Sequence, residues 1–246
     1  MRRYGLIGRP LGHSASAAYF AAKFEREGIA DCAYALYELP DIGALEGLLA
    51  RTPDLCGFNV TIPYKERIIP RLQSMAEEAR TIGAVNCVRI TPEGLVGHNT
   101  DAYGFRTSLL KLLNGERPEQ ALVLGTGGAS KAVKYVLGQL GIPFDTVSRT
   151  ASAEGYTYAT LTPEAVRSHR LIVNATPLGT FPKTDECPGI PYDAIGETHF
   201  LFDLVYNPPL TEFLRRGQQQ GAAIANGYDM LVGQAEKAWE IWNSDK

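Results

Sequence analysis

The stretch Ala121-Leu122-Val123-Leu124-Gly125-Thr126-Gly127-Gly128-Ala129-Ser130 decides the fold of this 246-residue chain. Its four leading apolar residues indicate a buried strand, its glycines indicate a tight turn, and the residues that follow, as far as Leu140, indicate a helix. A strand, a glycine-rich turn and a helix in this order are typical of a dinucleotide site, where the backbone approaches a pyrophosphate at the helix N-terminus. An ordinary strand-to-helix connection remains the alternative, because one such turn alone is weak evidence.

The next predicted strand, Phe144–Val147, ends in Ser148-Arg149-Thr150. An NAD site usually offers the ribose hydroxyls a carboxylate about 20 residues past the first glycine. A guanidinium at this position can instead pair with a 2′-phosphate, so Arg149 favours NADP over NAD. The alternative is a solvated surface arginine.

Short strand-like runs alternate with amphipathic helical stretches along the whole chain, which predicts an α/β fold with mostly parallel sheets. A polar segment, Asn114-Gly115-Glu116-Arg117-Pro118, separates two such series. The predicted strands are Tyr4–Gly8, Ala33–Glu38, Leu55–Ile62 and Ala84–Ile90 in the first series, and Ala121–Leu124, Phe144–Val147, Leu171–Asn174, Phe200–Asp203 and Ala222–Ala225 in the second.

Composition narrows the class of protein. A chain with 45% hydrophobic and 21% charged residues is expected to be soluble and globular, and it has no apolar run of the roughly 18 residues that span a membrane. A net charge of −3 with scattered basic residues argues against nucleic acid as a partner. The 4 cysteines and 4 histidines lack ligand spacing, so no metal is predicted. Without a secretory signal, we expect a cytoplasmic protein that binds small molecules and neither membrane nor nucleic acid.

Two charged residues stand where a ligand could bind. Lys65 follows a predicted strand that Pro63 ends, and open α/β sheets bind ligands beyond the carboxyl ends of their strands. Asp101 begins a predicted helix, where aspartate is also a common N-cap. From the residues alone, a surface lysine and a capping aspartate remain alternatives. Strict alternation along the strand before Lys65 predicts one face with the polar residues Asn59 and Thr61, and another with the apolar residues Phe58, Val60 and Ile62.

Several of these segments occur together in one known family. They are Asn59-Val60-Thr61-Ile62-Pro63-Tyr64-Lys65, Gly83-Ala84-Val85-Asn86, Asn99-Thr100-Asp101, Asn174-Ala175-Thr176-Pro177, Asp203-Leu204-Val205-Tyr206-Asn207-Pro208, and Gly227-Tyr228-Asp229-Met230-Leu231 with Gln234. In their order and spacing, over nearly the whole chain, the sequence resembles the shikimate dehydrogenases. The resemblance implies an NADPH-dependent oxidoreductase that reversibly reduces 3-dehydroshikimate to shikimate in chorismate and aromatic amino acid biosynthesis.

The resemblance also implies two domains. Residues 1–101, completed by a C-terminal helix at about 227–246, would form an α/β substrate-binding and catalytic domain with a mostly parallel sheet. Residues 102–226 would form a Rossmann-type NADP-binding domain. The two would close around the reacting centre, as expected for a hydride transfer that excludes water.

The same resemblance assigns the site residues. The catalytic pair would be Lys65 and Asp101. Substrate would be held by Ser14, Ser16, Asn59, Thr61, Asn86, Asp101, Tyr206 and Gln234. The cofactor would contact Gly125, Thr126, Gly127, Gly128, Ala129, Ser148, Arg149, Thr150, Leu204, Gly227 and Glu77. Neutral amides and hydroxyls of this kind suit a ring that carries several hydroxyls.

Two functional alternatives stay open at this point. One is a quinate/shikimate dehydrogenase that uses NAD or NADP, because Ser148 replaces the asparagine usual in the family and no basic residue follows Arg149-Thr150 closely. The other is a non-catalytic, ligand-sensing paralogue, against which the retained Lys65 and Asp101 argue. The chain is expected to be a monomer or a homodimer.

Overall fold

The computed structural model describes residues 1–12, 14–150 and 155–244. The backbone divides into two compact units, one made of Met1–Tyr103 with Val232–Lys246 and the other of Gly104–Leu231. Residues 245 and 246, which the predicted C-terminal helix included, lie outside the described residues. Across the part of the chain that is described, no helix combines the length and the apolar character that crossing a membrane requires.

The first unit is built on a six-stranded mixed sheet. Its elements are β1 (Arg2–Gly8), α1 (Ser16–Arg26), β2 (Cys32–Glu38), α2 (Leu45–Arg51), β3 (Leu55–Val60), β4 (Ser74–Met75), α3 (Glu77–Ile82), β5 (Cys87–Thr91), β6 (Gly94–His98) and the start of α4 (Asp101–Leu113). The strand order is β2-β1-β3-β5-β6-β4. β1 pairs in parallel with β2 and β3, whereas β5 pairs antiparallel with β3 and β6.

Apolar residues cover both faces of this sheet. Phe58 and Val60 of β3 are buried in one core cluster, and Tyr4 of β1 is buried in another together with Phe20 of α1 and Trp242. The indole N–H of Trp242 donates to the carbonyl oxygen of Val88 at 3.0 Å. Full burial of a large aromatic side chain contributes about 2 to 3 kcal/mol, so the C-terminal residues are an integral part of this unit.

The second unit contains a six-stranded sheet in which every described pairing is parallel. Its elements are β7 (Ala121–Leu124), α5 (Gly128–Gln139), β8 (Phe144–Ser148), β9 (Tyr156–Thr157), α6 (Pro163–Ser168), β10 (Leu171–Asn174), β11 (Phe200–Asp203), α7 (Glu212–Gln219), β12 (Ala223–Ala225) and α8 (Tyr228–Asn243), whose later turns belong to the first unit. The order β12-β11-β10-β7-β8-β9 reverses direction between β7 and β10. This is the strand order of the Rossmann fold, which binds its ligand outside the strand ends at that reversal.

The three central strands of the second unit, β7, β10 and β11, are buried along their whole length, as is typical of a parallel sheet covered by helices. All four residues of β7 are fully buried, as the uninterrupted apolar run predicts. Thr162 accepts a hydrogen bond from the backbone N–H of Ala165 at 3.2 Å, and Pro163 occupies the first turn of α6. The prediction of an α/β fold with mostly parallel sheets is confirmed.

Two local predictions in the first unit are wrong. The strand β3 ends at Val60 rather than at Ile62, and the side chain of Ile62 is 65% exposed instead of sharing the buried face. The next predicted strand, Ala84–Ile90, begins only at Cys87. β3 leaves the sheet before its apolar run ends, whereas β5 enters the sheet only after its apolar run has begun. The alternation rule does not apply to residues outside the sheet.

Candidate active site

Lys65 and Asp101 meet in the first unit. The Nζ atom of Lys65 donates to Oδ2 of Asp101 at 2.6 Å, and the two side chains are 14% and 9% exposed. A lysine in the loop after β3 and an aspartate at the first residue of α4 are thereby joined across 36 positions of sequence. The result is a largely buried ion pair that keeps some access to solvent.

A second side chain holds the other oxygen of the carboxylate. Nδ2 of Asn86 donates to Oδ1 of Asp101 at 2.9 Å, opposite the oxygen that accepts from Lys65. The side chain of Asn86 is 3% exposed, so these hydrogen bonds are shielded from water. Hydrogen bonds to both oxygens fix the carboxylate plane, which in turn fixes where the ammonium group lies.

The backbone explains why these residues meet. The backbone N–H of Val85 donates to the carbonyl oxygen of Lys65 at 2.8 Å, which places the loop after β3 beside the segment that carries Asn86. Oδ1 of Asn99 accepts from the backbone N–H of Ala102 at 3.1 Å and caps the first turn of α4. Asn99, rather than Asp101, is therefore the capping residue. The carboxylate of Asp101 is left to bind Lys65.

Four polar substrate candidates of the first unit, Asn59, Asn86, Asp101 and Gln234, form a connected row. Oδ1 of Asn59 accepts from the hydroxyl of Tyr34 at 2.9 Å, and Nδ2 of Asn59 donates to the carbonyl oxygen of Asn86 at 3.2 Å. The hydroxyl of Thr100 is 3.5 Å from Oε1 of Gln234. These contacts connect Asn59 and Gln234 to the network around Asp101.

The remaining four candidates, Ser14, Ser16, Thr61 and Tyr206, make other contacts. Ser14 precedes α1, and its hydroxyl accepts from the backbone N–H of Ser16, the first residue of that helix, at 3.3 Å. The backbone N–H of Thr61 donates to the carbonyl oxygen of Ile7 at 2.9 Å, which holds Thr61 just past β3. Tyr206 differs from the other substrate candidates because it belongs to the second unit.

The glycine-rich turn lies at the carboxyl end of β7, next to the reversal in strand order. Gly125 has a φ of +108°, a conformation that side chains with a Cβ rarely adopt. A Cβ added at Gly127 would meet no atom within 4 Å, and no side chain caps the amides that begin α5. Uncapped amides at the N-terminus of a 12-residue helix attract anions, so the segment Gly125–Ala129 fits the pyrophosphate of a dinucleotide.

The adjacent strand carries the residues predicted to recognise the ribose. Leu124 of β7 is in register with Val147 of β8, so Ser148, Arg149 and Thr150 follow at the same edge of the sheet. The hydroxyl of Ser148 donates to the carbonyl oxygen of Thr150 and closes a turn with the exposed Arg149 between them. A guanidinium in this turn can pair with a phosphate on the ribose.

The remaining cofactor candidates divide between the two units. Gly227 approaches the chain after β11 so closely that a Cβ there would lie 2.1 Å from the carbonyl oxygen of Leu204. A glycine is therefore required at this position. Glu77 is exposed at the start of α3 and belongs to the first unit.

A buried carboxyl group ties the strand ends of the second unit together. Oδ1 of Asp203 accepts from Nδ2 of Asn174 and from the backbone N–H of Val205, both at 3.0 Å, and Oδ2 accepts from the hydroxyl of Thr211 at 2.6 Å. Burial raises the pKa of Asp203 to about 7, although the three donors favour the ionised form. These bonds link the end of β10 to the loop that carries Leu204.

The sequence of this chain matches one family of known proteins over nearly its whole length. The family model described as "Shikimate dehydrogenase substrate binding domain" matches residues 6–88. A "Shikimate dehydrogenase (NADP(+))" of Chlorobium chlorochromatii is 34% identical over 100% of this chain and 92% of its own length. This chain belongs to the shikimate dehydrogenase family. A second member of the family with the same description, from Clostridium beijerinckii, is 38% identical over 98% of this chain and 92% of its own length.

The fold of a solved shikimate dehydrogenase extends over both units. The enzyme of Thermus thermophilus, crystallised in complex with NADP(H) and shikimate, matches with a TM-score of 0.84 and 34% identity, over 99% of this chain and 94% of its own. The predicted membership of the shikimate dehydrogenase family is thus confirmed. Within the first unit, the matched family region contains Lys65 and Asn86, whereas Asp101 and Gln234 lie beyond it.

Two residues of this candidate site were not predicted from the sequence. Thr100 is fully buried and connects Asn86 to Gln234, and Tyr34 lies beneath Asn59. Thr100 could have been found because it stands inside the motif that ends in Asp101. Tyr34 could not, because nothing in the local pattern of β2 marks it as a polar contact.

Proposed function

We propose that this chain catalyses the reversible, NADPH-dependent reduction of 3-dehydroshikimate to shikimate, a reaction of chorismate and aromatic amino acid biosynthesis. The observation that carries the proposal is the hydrogen-bonded pair of Lys65 and Asp101 at 2.6 Å, in a chain whose relatives are described as NADP-dependent shikimate dehydrogenases.

Lys65 acts as the proton donor in the reducing direction. NADPH, when bound, supplies the hydride that reduces the C3 carbonyl. The ammonium of Lys65 gives its proton to the carbonyl oxygen and stabilises the negative charge that develops there, an effect worth about 3 kcal/mol for a well-placed donor. In the oxidising direction the same nitrogen accepts the proton of the C3 hydroxyl. Asp101 orients Lys65 and accepts hydrogen bonds from the substrate hydroxyls.

Neutral polar side chains hold the polyol ring. The substrate-binding residues are Ser14, Ser16, Asn59, Thr61, Asn86, Asp101, Tyr206 and Gln234. Buried amides and hydroxyls discriminate between hydroxyl patterns because a misplaced substrate group leaves one of them unpaired. The low exposure of Asn59, Asn86 and Gln234, at 4%, 3% and 9%, supports this role.

The second unit holds the cofactor. Gly125 to Ala129 bind the pyrophosphate and Ser148 to Thr150 bind the adenosine ribose. Leu204 and Gly227 also contact the cofactor, with Glu77 as a further neighbour. The domains are residues 1–101 with a helix from about 227 to 246 for substrate, and residues 102–226 for NADP.

Arg149 selects NADP by pairing with its 2′-phosphate. The substitution Arg149→Asp removes this pairing and places a carboxylate where an NAD enzyme usually has one. We expect KM for NADP to rise at least about tenfold while KM for NAD changes far less, since a bidentate charged pair contributes more than a neutral hydrogen bond. Initial rates with shikimate and each nucleotide measure this; an equal rise in both KM values contradicts the assignment.

One assay tests the reaction class. Purified protein is mixed with shikimate and NADP, then with NAD, and the reduced nicotinamide is followed by absorbance. We expect turnover with shikimate that is faster with NADP. Comparable rates with quinate or with NAD would instead identify a quinate/shikimate dehydrogenase. Tight shikimate binding without turnover would identify a ligand-sensing paralogue.

We also infer where and in what form the protein acts. Four cysteines without a paired spacing suit reduced thiols, which supports a cytoplasmic location. The partners are small molecules, and the chain acts as a monomer or a homodimer. Light scattering of the purified protein distinguishes a mass of 26.8 kDa from twice that mass.

A further inference from the structure

Thr100 lies between two of the proposed substrate-binding amides and is fully buried. We propose that Thr100 is a positioning residue that sets the orientation of Asn86 and Gln234, and thereby the affinity of the site for a polyol substrate. The proposal rests on the proposed function, because it gives a role to residues that act on that substrate.

The backbone of Thr100 first fixes which way the amide of Asn86 faces. The N–H of Thr100 donates to Oδ1 of Asn86 at 2.6 Å. A backbone N–H can only donate, so the atom that receives it must be the oxygen of the amide. Nδ2 of Asn86 consequently faces Asp101, to which it donates at 2.9 Å. A flipped amide would turn its oxygen toward the carboxylate and lose both bonds.

The hydroxyl of Thr100 both accepts and donates a hydrogen bond. It accepts from Nδ2 of Asn86 at 3.0 Å. Its single hydrogen can be donated to Oδ1 of Asn86 at 3.3 Å or to Oε1 of Gln234 at 3.5 Å. Oδ1 of Asn86 already receives the shorter bond from the backbone, so the hydroxyl hydrogen is better used by Gln234.

One hydroxyl therefore hydrogen-bonds side chains from two distant parts of the chain. Asn86 precedes β5, and Gln234 lies in α8, 134 positions after Thr100. Since both amides are buried, solvent cannot replace a lost partner. Removing the hydroxyl should let the side chain of Gln234 turn, while Asn86 keeps its bonds to the backbone N–H of Thr100 and to Asp101. The ion pair between Lys65 and Asp101 also keeps its own hydrogen bond.

The substitutions Thr100→Val and Thr100→Ser separate the hydroxyl from the packing. Valine keeps the shape and the backbone N–H but cannot hydrogen-bond, whereas serine keeps the hydroxyl and lacks the methyl group. We expect Thr100→Val to raise KM for shikimate about tenfold, as expected for the loss of one buried hydrogen bond, with kcat within about threefold and KM for NADP unchanged. Thr100→Ser should stay within about twofold of the wild type in all three.

A matched control comes from the same helix. The hydroxyl of Thr107 donates to the carbonyl oxygen of Gly104 at 3.1 Å, a bond within α4. Thr107→Val should leave KM for shikimate unchanged. The proposal is overturned if Thr100→Val keeps the wild-type KM, if Thr100→Ser is as impaired as Thr100→Val, or if the KM values for shikimate and NADP rise together.

Crystal structures test the positioning role without measuring enzyme activity. Crystal structures of Thr100→Val and Thr100→Ser should show the amide of Gln234 turned in the valine variant and unchanged in the serine variant, with Asn86 in place in both because its bond from the backbone N–H of residue 100 remains. A Gln234 amide that stays in place in both variants refutes the positioning role of the hydroxyl, whatever the enzyme acts on. Absence of shikimate turnover by the wild type, with a turned Gln234 amide in Thr100→Val, would count against the proposed function alone.

Discussion

Two lysines of the first unit form ion pairs of the same length in different surroundings. Nζ of Lys23 lies 2.6 Å from Oε2 of Glu236, and Nζ of Lys65 lies 2.6 Å from Oδ2 of Asp101. Lys23 has a second carboxylate, that of Glu27, at 2.9 Å. Among the described residues, the carboxylate of Asp101 is the one ion-pair partner of Lys65. The difference lies in the number of counter-charges rather than in distance.

The number of carboxylates determines what each amine can do. Burial lowers the pKa of Lys23, but hydrogen bonds to Glu236 and Glu27 outweigh it and raise the pKa above its ordinary value. An amine held by two carboxylates between α1 and α8 serves packing. Lys65 keeps N–H groups for a substrate, because one carboxylate occupies a single side of its ammonium. Substitutions of the two lysines test this difference.

The largest effect is expected from Lys65→Ala. The variant removes the proposed proton donor, so kcat should fall by more than about a hundredfold while KM for shikimate changes little. Steady-state rates of shikimate oxidation measure both constants. Lys23→Met serves as the reference, because it deletes the other ammonium and should retain at least half of the wild-type kcat per folded molecule. A Lys65→Ala enzyme with near-normal turnover would show that Lys65, like Lys23, has no role in the reaction.

A change in stability rather than in turnover is expected from Asp203→Asn. This substitution extends the comparison to a buried carboxyl group whose described contacts include no cation. Its pKa of about 7 in the folded protein exceeds the usual value of 3.8. The folded state therefore holds the proton more tightly, and the stability this gives below about pH 4 is lost as the pH rises through 7. Asparagine does not titrate.

Urea unfolding between pH 4 and 8 measures the difference in unfolding free energy between the wild type and Asp203→Asn. Because the pKa of 3.8 rises to about 7 on folding and each pKa unit corresponds to about 1.4 kcal/mol, we expect this difference to fall by roughly 4 kcal/mol across that window and to level off above it, in the direction unfavourable to the wild type. A difference that rises with pH would show that the three donors, and not burial, dominate at Asp203.

The smallest effects are expected on the unfolding free energy of two lysine variants at pH 7. Lys23→Met removes the cation that Glu236 and Glu27 share, although Glu27 keeps Arg26 at 3.0 Å. Since Glu236 and Glu27 are 36% and 37% exposed, we expect a loss of about 1 to 2 kcal/mol rather than the larger penalty of a fully buried charge. Lys111→Met removes another pair at 2.6 Å, with Asp229, whose side chains are 76% and 49% exposed.

Lys111→Met should cost less than about 0.5 kcal/mol, because solvent screens an exposed pair. Denaturant unfolding of both variants at pH 7 gives the comparison directly. Equal losses in Lys23→Met and Lys111→Met would mean that burial does not govern the contribution of these ion pairs.

The sequence was most informative where local chemistry decides the structure. The buried strand β7 and the tight turn at Gly125 follow from residue type, and both are present as predicted, with a φ of +108° at Gly125. Ile62 was misjudged because the point at which β3 leaves the sheet depends on tertiary contacts. β6, which pairs antiparallel with β5, was not predicted for the same reason.

The candidate site was less predictable from physical reasoning than the fold. Lys65 and Asp101 were singled out by resemblance, since on the residues alone each had an ordinary alternative. The burial of Lys23 was not predicted, because a lysine on an amphipathic helix is normally solvated. The contacts of Thr100 likewise depend on a side chain 134 positions away, which no local pattern encodes.

The chain order of the two units has a consequence for biosynthesis. The first unit needs Trp242 to fill the core beside Tyr4, whereas the second is composed of Gly104–Leu231. During translation the nucleotide-binding unit can therefore complete its fold first. The unit that carries Lys65 and Asp101 must wait, with β1 to β6 already made, until the ribosome has added the last turns of α8. A pause or truncation shortly before Trp242 would leave a finished Rossmann fold attached to an unfinished catalytic unit.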